Sequence, residues 1–556
     1  MLLTGAEIIV EVLIEQGVTD IFGYPGGAAL DIFDALYKRK DRINHYMTAH
    51  EQGAAHAADG YARATGKTGV VLSTSGPGAT NLVTGIATAY LDSIPMVAIT
   101  ANVGTPLIGK DSFQEVFITG ITDPITKHNY AVRDITRLAL TLRTAFRIAQ
   151  SGRKGPVLID IPKDISNMTC EFTPESPIAP DVNPSPKAEL IAEAAELINK
   201  AKRPVVCFGG GVVNGGATKE VLEFLRKANI PACHTLMATG VIGYGDEHDL
   251  GMLGMHGTFA ANKAVAEADL LIAMGTRFND RVAQNTNKFS PKAKIVQLDI
   301  DPSENSKNVA AACFISGDIK EAIKGLTDAS QHIERDEWFA AIKEWRERDY
   351  FPKEVDGVLR PHDIMQVIAD ETKGNAIIAT DVGQHQMWAS QYCHEIRPRG
   401  FLTSGGLGTM GFGYGAAIGA KVGVPDAKVI HVTGDGSFHM NMHEACTAVS
   451  NNLQVVTVIF DNRVLGMVHQ WQQSFYGGRY MCTEPERKTD YVKVIEGFGG
   501  KGFRAETAEE LRAALKEALN TNGPTWIACP IDMYEKVLPM IPPGKTVKEI
   551  IADENI

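Results

Sequence analysis

The sequence predicts an α/β protein built from three domains, each a doubly wound parallel sheet. Its 556 residues are too many for a single hydrophobic core. Short β-branched runs alternate with amphipathic helical patterns along the chain, and this alternation is typical of parallel sheets covered by helices. The buried strands predicted from these runs are 70–74, 96–100, 156–161, 204–208, 270–274, 295–299, 376–380, 428–433, 455–460 and 526–530.

Two breaks in composition divide the chain. Residues 171–187 contain five prolines and little that could pack, which indicates a linker. A second, softer break lies in a charged stretch with a helical pattern, after which the alternation of strands and helices resumes. The predicted organisation is a first domain 1–170, a linker 171–187, a central domain 188–330, a linker region 331–360, a last domain 361–540 and a tail 541–556.

The composition limits the classes of partner. A formal net charge of −12 argues against a surface for nucleic acid or anionic membrane, because either would favour a basic stripe. The eight cysteines form no CxxC pair, as expected for reduced thiols. No apolar run approaches the roughly 18–20 residues that span a bilayer, and the first residues show no targeting pattern. We therefore expect a cytoplasmic protein that binds neither nucleic acid nor membrane.

The most informative stretch lies in the last domain. The predicted strand 428–433 runs into the motif GDGS at 434–437 and a helical pattern, and the next predicted strand ends just before Asn462. The two strands of a β–α–β unit are parallel, so their carboxyl ends share one edge of the sheet. We expect Asp435 and Asn462 to meet there. Carboxylate, amide and carbonyl oxygens suit Mg²⁺, with phosphate oxygens completing its shell.

The same motif can hold a diphosphate. Gly434 and Gly436 let the backbone approach phosphate oxygens, and Ser437 opens a helix whose first N–H groups face an anion. The alternative is that GDGS is merely a turn from strand to helix. The spacing to a second buried strand with a terminal Asn favours the metal and diphosphate site.

These features resemble the thiamine-diphosphate fingerprint of the pyruvate-decarboxylase-like superfamily. The fingerprint ordinarily ends in Asn-Asn, whereas this chain has Asp461-Asn462, so only the metal-binding second position is retained. The resemblance implies a pyruvate-decarboxylase-like architecture, with thiamine diphosphate and Mg²⁺ as cofactors. The metal ligands that it implies are Asp435, Asn462 and the backbone oxygen of Val464.

The first domain carries a second part of the resemblance. The segment HEQGAAHAADGYAR at 50–63 resembles the superfamily motif whose glutamate hydrogen-bonds the cofactor's aminopyrimidine. Buried among small residues at a strand's carboxyl end, Glu51 would be suited to sharing a proton with a ring nitrogen. An isolated glutamate would instead be interpreted as a favourable charge in a helix's first turn. In the superfamily this glutamate and the diphosphate motif come from different subunits, which implies a homodimer or homotetramer with active sites at the interface.

Nearly the whole chain resembles the large subunits of the acetolactate synthase (acetohydroxyacid synthase) family. The resemblance lies in segments such as FGYPGGA at 22–28, KDSFQE at 110–115 and LGMVHQWQQSFYGGRY at 465–480. It implies catalytic roles for Gly27, Glu51, Gln114 and Lys163. It implies substrate contacts for Ala28, Phe113, Arg281, Met467 and Trp471. It implies thiamine-diphosphate contacts for Pro77, Asn81, Val382, Gly383, Gln384, His385, Gly408, Met410, Gly436, Ser437, Met440, Gly466 and Met467.

The central domain lacks a GxGxxG opening, which makes a nicotinamide cofactor unexpected. Its segments FGGGVVNGGA at 208–217, LGMHGTFAAN at 253–262 and LDIDPSE at 298–304 resemble the FAD-binding segments of biosynthetic acetolactate synthases, in which the flavin is structural. The alternative is a related domain that has lost its nucleotide. The implied FAD contacts are Arg153, Gly210, Gly211, Thr235, Leu236, Met255, His256, Gly275, Arg277, Asp299, Ile300 and Asp318.

The resemblance also implies a reaction in branched-chain amino-acid biosynthesis. Pyruvate is decarboxylated and its hydroxyethyl unit is joined to a second 2-keto acid. The product is 2-acetolactate from pyruvate, or 2-aceto-2-hydroxybutyrate from 2-oxobutyrate, and a small regulatory subunit is a further implied partner. The alternatives are a 2-oxoacid decarboxylase, a sulfoacetaldehyde-type acetyltransferase, a pyruvate oxidase, or a catalytically silent regulatory paralogue.

Overall fold

A computed structural model describes residues 1–243, 245–350, 357–393, 397 and 399–552. Residues 351–356 of the predicted linker region and 553–556 of the predicted tail lie outside this described part. Within it, the chain forms three six-stranded parallel sheets and one small antiparallel pair of strands. The three sheets confirm the predicted fold class.

The first sheet has the strand order β3-β2-β4-β5-β7-β6, and β1 pairs with β8 beside it. Its strands are β1 Leu2–Thr4, β2 Asp20–Tyr24, β3 Asn44–Met47, β4 Gly69–Ser73, β5 Met96–Asn102, β6 His128–Ala131, β7 Pro156–Pro162 and β8 Thr169–Glu171. Its helices are α1 Gly5–Glu15, α2 Leu30–Tyr37, α3 Glu51–Thr65, α4 Pro77–Thr80, α5 Val83–Asp92, α6 Ile118–Thr122, α7 Leu138–Gln150 and α8 Lys163–Asn167.

The central sheet has the strand order β11-β10-β9-β12-β13-β14. Its strands are β9 Pro204–Phe208, β10 Ala232–His234, β11 Asp249–Met252, β12 Leu270–Met274, β13 Lys294–Asp299 and β14 Cys313–Ser316. The helices are α9 Ala188–Lys200, α10 Gly210–Asn214, α11 Thr218–Ala228, α12 Phe259–Glu267, α13 Ile319–Ala329 and α14 Asp336–Arg346. Residues 172–187 contain no helix or strand. Helix α14 buries Trp338 and Ile342 against this sheet's core.

The last sheet has the strand order β16-β15-β17-β18-β20-β19. Its strands are β15 Ala376–Thr380, β16 Phe401–Leu402, β17 Lys428–Gly434, β18 Val455–Asp461, β19 Lys501–Arg504 and β20 Thr525–Pro530. Its helices are α15 Pro361–Thr372, α16 Gln384–Tyr392, α17 Phe412–Gly423, α18 Asp435–Asn441, α19 Ala445–Ser450, α20 Gly466–Phe475, α21 Tyr491–Phe498 and α22 Ala508–Ala518.

The first and last domains pack through helices α3 and α17. A Cβ atom on Gly60 of α3 would overlap the carbonyl of Ala416, and one on Gly419 of α17 would overlap the carbonyl of Ala57. The helices therefore approach at backbone distance, which only glycine and alanine allow. This contact holds the two domains of one chain in a defined relation. No helix in the described residues has the length and apolar character needed to cross a membrane.

Candidate active site

The metal motif lies at the carboxyl edge of the last sheet. Strands β17 and β18 are adjacent and parallel, with Gly434 opposite Phe460. The predicted β–α–β unit is therefore present, and Asp435 and Asn462 line one small cavity of about 80 Å³. Its walls also contain the predicted metal ligand Val464 and most of the predicted thiamine-diphosphate contacts, namely Val382, Gly383, Gln384, His385, Met410, Gly436, Ser437, Gly466 and Met467.

The donors in this cavity fit a hard cation. The Oδ1 atom of Asp435 is buried without a hydrogen-bond partner. Burial, and secondly the negative charge of Asp461, raise the pKa of the Asp435 carboxyl to about 7. A bound cation would lower this pKa again, because it places a positive charge beside the carboxylate. The described residues contain no cluster of three or more His, Cys, Asp or Glu placed for a metal, so phosphate oxygens would have to complete the shell.

A histidine and a glutamine beside the metal motif differ in their freedom to bind a ligand. The Nε2 atom of His385 is buried without a partner, and burial lowers the pKa of the ring to about 4. The neutral ring can donate a hydrogen bond to a phosphate oxygen in the tautomer that carries its proton on Nε2. The Gln384 amide instead donates to Gln470 Oε1 at 2.9 Å and to the Glu535 carbonyl at 2.8 Å. It therefore ties α16 to α20 beside the cavity.

The predicted site residues of the first domain gather at the carboxyl edge of their own sheet. Glu51 opens α3, is 8% exposed and accepts a 2.9 Å hydrogen bond from Asn81 Nδ2. Lys163, which follows β7, donates to the carbonyl of Gly27 at 3.0 Å. Gln114 has φ +61°, and its backbone lies against Gly76. The fold thus brings residues from four separate segments to one edge.

A cavity of about 760 Å³ lies where the three domains meet. This volume is within the range of small-molecule sites. All twelve residues predicted to contact FAD line it, as do Val382, Gly383, Gly408, Met467, Arg281 and Trp471. Val382, Gly383 and Met467 line both cavities, so the two adjoin.

Part of the wall of the large cavity has the features of a nucleotide site. Gly211 and Gly275 lie so close that a Cβ on either would overlap the other's backbone, with Gly275 at φ +59°. This leaves a smooth glycine wall of the kind that nucleotide sites use. Asp318, however, caps α13 and accepts a 2.9 Å hydrogen bond from Asn183. The Asp318 carboxylate is therefore already engaged within the protein.

Two of the residues predicted to contact the acceptor lie on α20. Met467 and Trp471, four residues apart, both line the large cavity, as expected for one helix face. The indole Nε1 of Trp471 is buried without a partner. Arg281 lines the same cavity, and its Nη1 lies 3.7 Å from Met255 Sδ.

Nine predicted site residues line neither cavity: Gly27, Ala28, Glu51, Pro77, Asn81, Phe113, Gln114, Lys163 and Met440. All but Met440 belong to the first domain. Phe113 is 87% exposed and Met440 51% exposed. In one chain, Glu51 and its neighbours at the carboxyl edge of the first sheet therefore lie outside the small cavity that contains Asp435 and Asn462.

The sequence did not predict a buried ion pair in the wall of the large cavity. Arg63 Nη2 lies 2.8 Å from Asp92 Oδ2. Asp92 also accepts hydrogen bonds from the backbone N–H groups of Gly405 at 3.2 Å and Gly406 at 2.7 Å. A signal was available in the small residues around Arg63 and the apolar residues before Asp92, because charged side chains buried among such residues are ordinarily paired.

Each of the three domains matches a family of known proteins. Residues 3–121, 191–326 and 381–529 match the N-terminal TPP binding domain, the central domain and the C-terminal TPP binding domain of thiamine pyrophosphate enzymes. The "Probable acetolactate synthase large subunit" of Methanocaldococcus jannaschii is 46% identical over 98% of this chain and 95% of its own length. The "Acetolactate synthase isozyme 2 large subunit" of Escherichia coli is 42% identical over 99% of both. The "Acetolactate synthase" of Mycobacterium bovis is 43% identical over 100% of this chain and 92% of its own length.

Proposed function

This chain belongs to the acetolactate synthase large-subunit family of thiamine-pyrophosphate enzymes, and from that premise we propose how its residues perform the reaction. It is a thiamine-diphosphate-dependent acetolactate synthase of branched-chain amino-acid biosynthesis. The observation that carries the residue assignment is the unpartnered Asp435 Oδ1, in the same small cavity as Asn462.

Thiamine diphosphate, when bound, supplies the electron sink that lets CO₂ leave a 2-keto acid. Glu51 would hold a proton shared with the aminopyrimidine, because it is buried and has one oxygen anchored by Asn81. Gly408 and Met410 would contact the pyrimidine through backbone atoms. His385 and the first residues of α18 would bind the diphosphate. Gly27, Gln114 and Lys163 would orient the keto acid at the carboxyl edge of the first sheet.

We assign Mg²⁺ to the small cavity, with Asp435, Asn462 and the backbone oxygen of Val464 as its protein ligands. The Asn462 Oδ1 atom accepts a 3.2 Å hydrogen bond from the Val464 N–H, so the two residues form one compact turn. One carboxylate, one amide and one carbonyl are the oxygen donors that Mg²⁺ uses alongside phosphate.

We assign FAD to the large cavity as a structural cofactor. Support comes from its volume, from its glycine wall and from the twelve predicted contacts that line it. Arg277 supplies positive charge at the cavity wall, whereas Arg153 is paired with Asp301 at 3.2 Å and Glu304 at 3.4 Å. Because Asp318 already caps a helix, its contribution to flavin binding would be through a hydrogen bond and not through a free charge.

Pyruvate is the proposed donor, with pyruvate or 2-oxobutyrate as acceptor. Trp471 and Met467 would contact the acceptor's alkyl group, and the Arg281 guanidinium would bind its carboxylate. All three side chains line the large cavity, and Met467 also lines the small cavity that contains Asp435. Phe113 and Ala28 would contact the substrate from the first-domain edge.

We propose that two copies of this chain complete each active site, in a homodimer or homotetramer. Glu51 and its neighbours line neither cavity of their own chain, and Phe113 and Met440 are exposed apolar side chains near the two halves of the site. Large exposed apolar groups at such positions are typical of interfaces. The relatives named large subunits point to a small regulatory subunit as a further partner.

We also propose the domain limits 1–170, 188–330 and 361–540, each of which contains one of the six-stranded sheets. We place the protein in the cytoplasm, since all eight cysteines are free thiols and four of them are buried.

The activity is tested by incubating the purified protein with pyruvate and converting the product to acetoin with acid. Thiamine diphosphate, Mg²⁺ and FAD are each omitted in turn. Acetolactate that depends on the first two cofactors and forms without net oxidation supports the proposal. Acetaldehyde as the main product would assign a decarboxylase, and acetate or acetyl phosphate formed with consumption of O₂ would assign an oxidase. Acetyl phosphate formed from sulfoacetaldehyde and phosphate, with release of sulfite, would assign an acetyltransferase. No turnover with any cofactor would indicate a silent paralogue.

The shared site is tested by complementation. Glu51→Gln and Asp435→Ala are each inactivating, and the two variants are unfolded or dissociated and reassembled together. If sites are shared, a mixed dimer contains one intact site, and random mixing should restore about a quarter of wild-type activity. If each chain holds its own complete site, the mixture stays inactive.

A further inference from the structure

A buried carboxylate of the last domain is bound to the backbone immediately before Glu51. Glu444 is fully buried. Its Oε2 accepts a 3.1 Å hydrogen bond from the N–H of Ala49, and its Oε1 accepts a 3.0 Å bond from the N–H of His50. Thr447 Oγ1 donates a third bond to Oε2 at 2.6 Å. Glu444 thus contacts two residues that lie 395 and 394 positions before it in the sequence.

Helix α3 is shaped to admit this carboxylate. A Cβ atom on Gly53, in the first turn of α3, would overlap the Oε1 atom of Glu444. Any other residue at position 53 would push Glu444 away from the two N–H groups. Glycine in a helix is disfavoured relative to alanine, so its presence here is explained by the close approach.

The contact fixes the backbone from which Glu51 projects. His50 is the N-cap of α3, and Glu51 is the first helical residue. Hydrogen bonds at Ala49 and His50 hold the two peptide groups before it. Burial raises the pKa of the Glu444 carboxyl, and the charge of Glu51 adds to the rise, so the two carboxyl groups interact.

We propose that Glu444 is a positioning residue for the proton-transfer function of Glu51. The inference rests on the proposed function. Asn81 fixes one oxygen of Glu51, and Glu444 fixes the start of the helix that carries it. Because Glu444 follows α18, which begins at Asp435, the diphosphate domain of each chain sets the position of that chain's own glutamate.

The test compares three variants of the full-length protein. Glu444→Gln keeps the size of the side chain but offers only one acceptor oxygen, so one of the two N–H groups loses its partner. Gly53→Ala displaces Glu444 from the other side of the contact. Thr447→Val is the matched control, because it removes a hydrogen bond to Glu444 without touching residues 49 and 50.

Three quantities are measured for each variant: hydrogen–deuterium exchange at C2 of bound thiamine diphosphate, the affinity for thiamine diphosphate, and exchange of the backbone amides of residues 49 and 50. We expect Glu444→Gln and Gly53→Ala to slow C2 exchange by about tenfold or more and to expose the two amides. Thiamine diphosphate affinity should stay within about threefold, because the diphosphate cavity is unchanged. Thr447→Val should resemble the wild type.

Normal C2 exchange in both variants, despite exposed amides, would overturn the positioning role. Equal slowing in Thr447→Val would also overturn it, because the effect would then be general loosening of the core. If Glu444→Gln does not fold, Gly53→Ala decides by the same criteria, and failure of both to fold would assign Glu444 a purely structural role. A wild-type protein that shows no C2 exchange would instead overturn the proposed function.

Discussion

Asn81 Nδ2 donates a 2.9 Å hydrogen bond to Oε2 of Glu51, while Oε1 has no hydrogen bond within the described part of the chain. Gly78 provides the space beside Oε1, since a Cβ there would lie 3.2 Å from it. One oxygen of the carboxylate is therefore anchored and the other is open. A group that exchanges a proton with a ligand needs this arrangement.

Glu51→Gln should preserve folding and cofactor binding while slowing proton exchange at C2 of thiamine diphosphate by about a hundredfold or more. The amide keeps the size and the Asn81 contact but cannot take up a proton. The measurement is deuterium exchange at C2 of the bound cofactor, followed by NMR. Near-wild-type exchange in the variant would rule out the proposed role.

Asp435→Ala should abolish Mg²⁺-dependent retention of thiamine diphosphate. The remaining amide and carbonyl oxygens carry no charge to neutralise the metal. Asp461→Asn is the matched control, because it restores the commoner residue of the fingerprint and leaves Asp435 in place. Cofactor retained after gel filtration is quantified with and without Mg²⁺. Greater loss in Asp461→Asn than in Asp435→Ala would show that the metal ligands are assigned wrongly.

Trp471→Leu should lower the preference for 2-oxobutyrate over pyruvate by about tenfold, since one methylene in an apolar pocket contributes roughly 1–3 kcal/mol. Acetolactate formation itself should survive. Both acceptors are supplied together and the two products are quantified separately. Phe475→Leu is the control: its ring lies 5.6 Å from Trp471 but lines neither cavity. An unchanged ratio in Trp471→Leu would place this residue outside the acceptor pocket.

Asp299→Asn should stabilise flavin-free protein at pH 8 but not near pH 4. Burial, and then the charges of Glu304 and Asp301, raise the pKa of Asp299 from 3.8 to about 6. The folded state therefore holds its proton more tightly than the unfolded state, so stability falls as pH rises from about 4 to about 6 and stays lower above it. This difference in pKa corresponds to about 3 kcal/mol of unfolding free energy at most. The measurement is the difference in apparent Tm at the two pH values.

Asp301→Asn should have the opposite effect on stability at pH 8. The pKa of Asp301 is lowered, despite partial burial, by hydrogen bonds from Ser303 and Arg153. Its charge stabilises the fold above the ordinary pKa of aspartate, and that stabilisation is lost as pH falls. Asp301→Asn should therefore lower the apparent Tm at pH 8. The same Tm change for both variants at both pH values would contradict the two assignments.

Much of the fold was predictable from the sequence because buried parallel strands are continuous apolar runs. The structure reproduces the predicted bounds of Pro204–Phe208, Leu270–Met274 and Ala376–Thr380. The strands that the sequence did not predict include the edge strands His128–Ala131 and Lys501–Arg504, whose residues are partly exposed. An edge strand has one neighbouring strand and one open edge, so its side chains are less buried and do not form a continuous apolar run.

The sequence by itself determined that Asp435 and Asn462 lie together, since they follow neighbouring strands of one β–α–β unit and must meet at its edge. Only the tertiary structure decided that Arg63 pairs with Asp92 and that Glu444 binds the backbone before Glu51. The physical reason is that periodicity reports which local face is buried. Contacts between distant segments depend on how whole domains pack, and no local pattern encodes that packing.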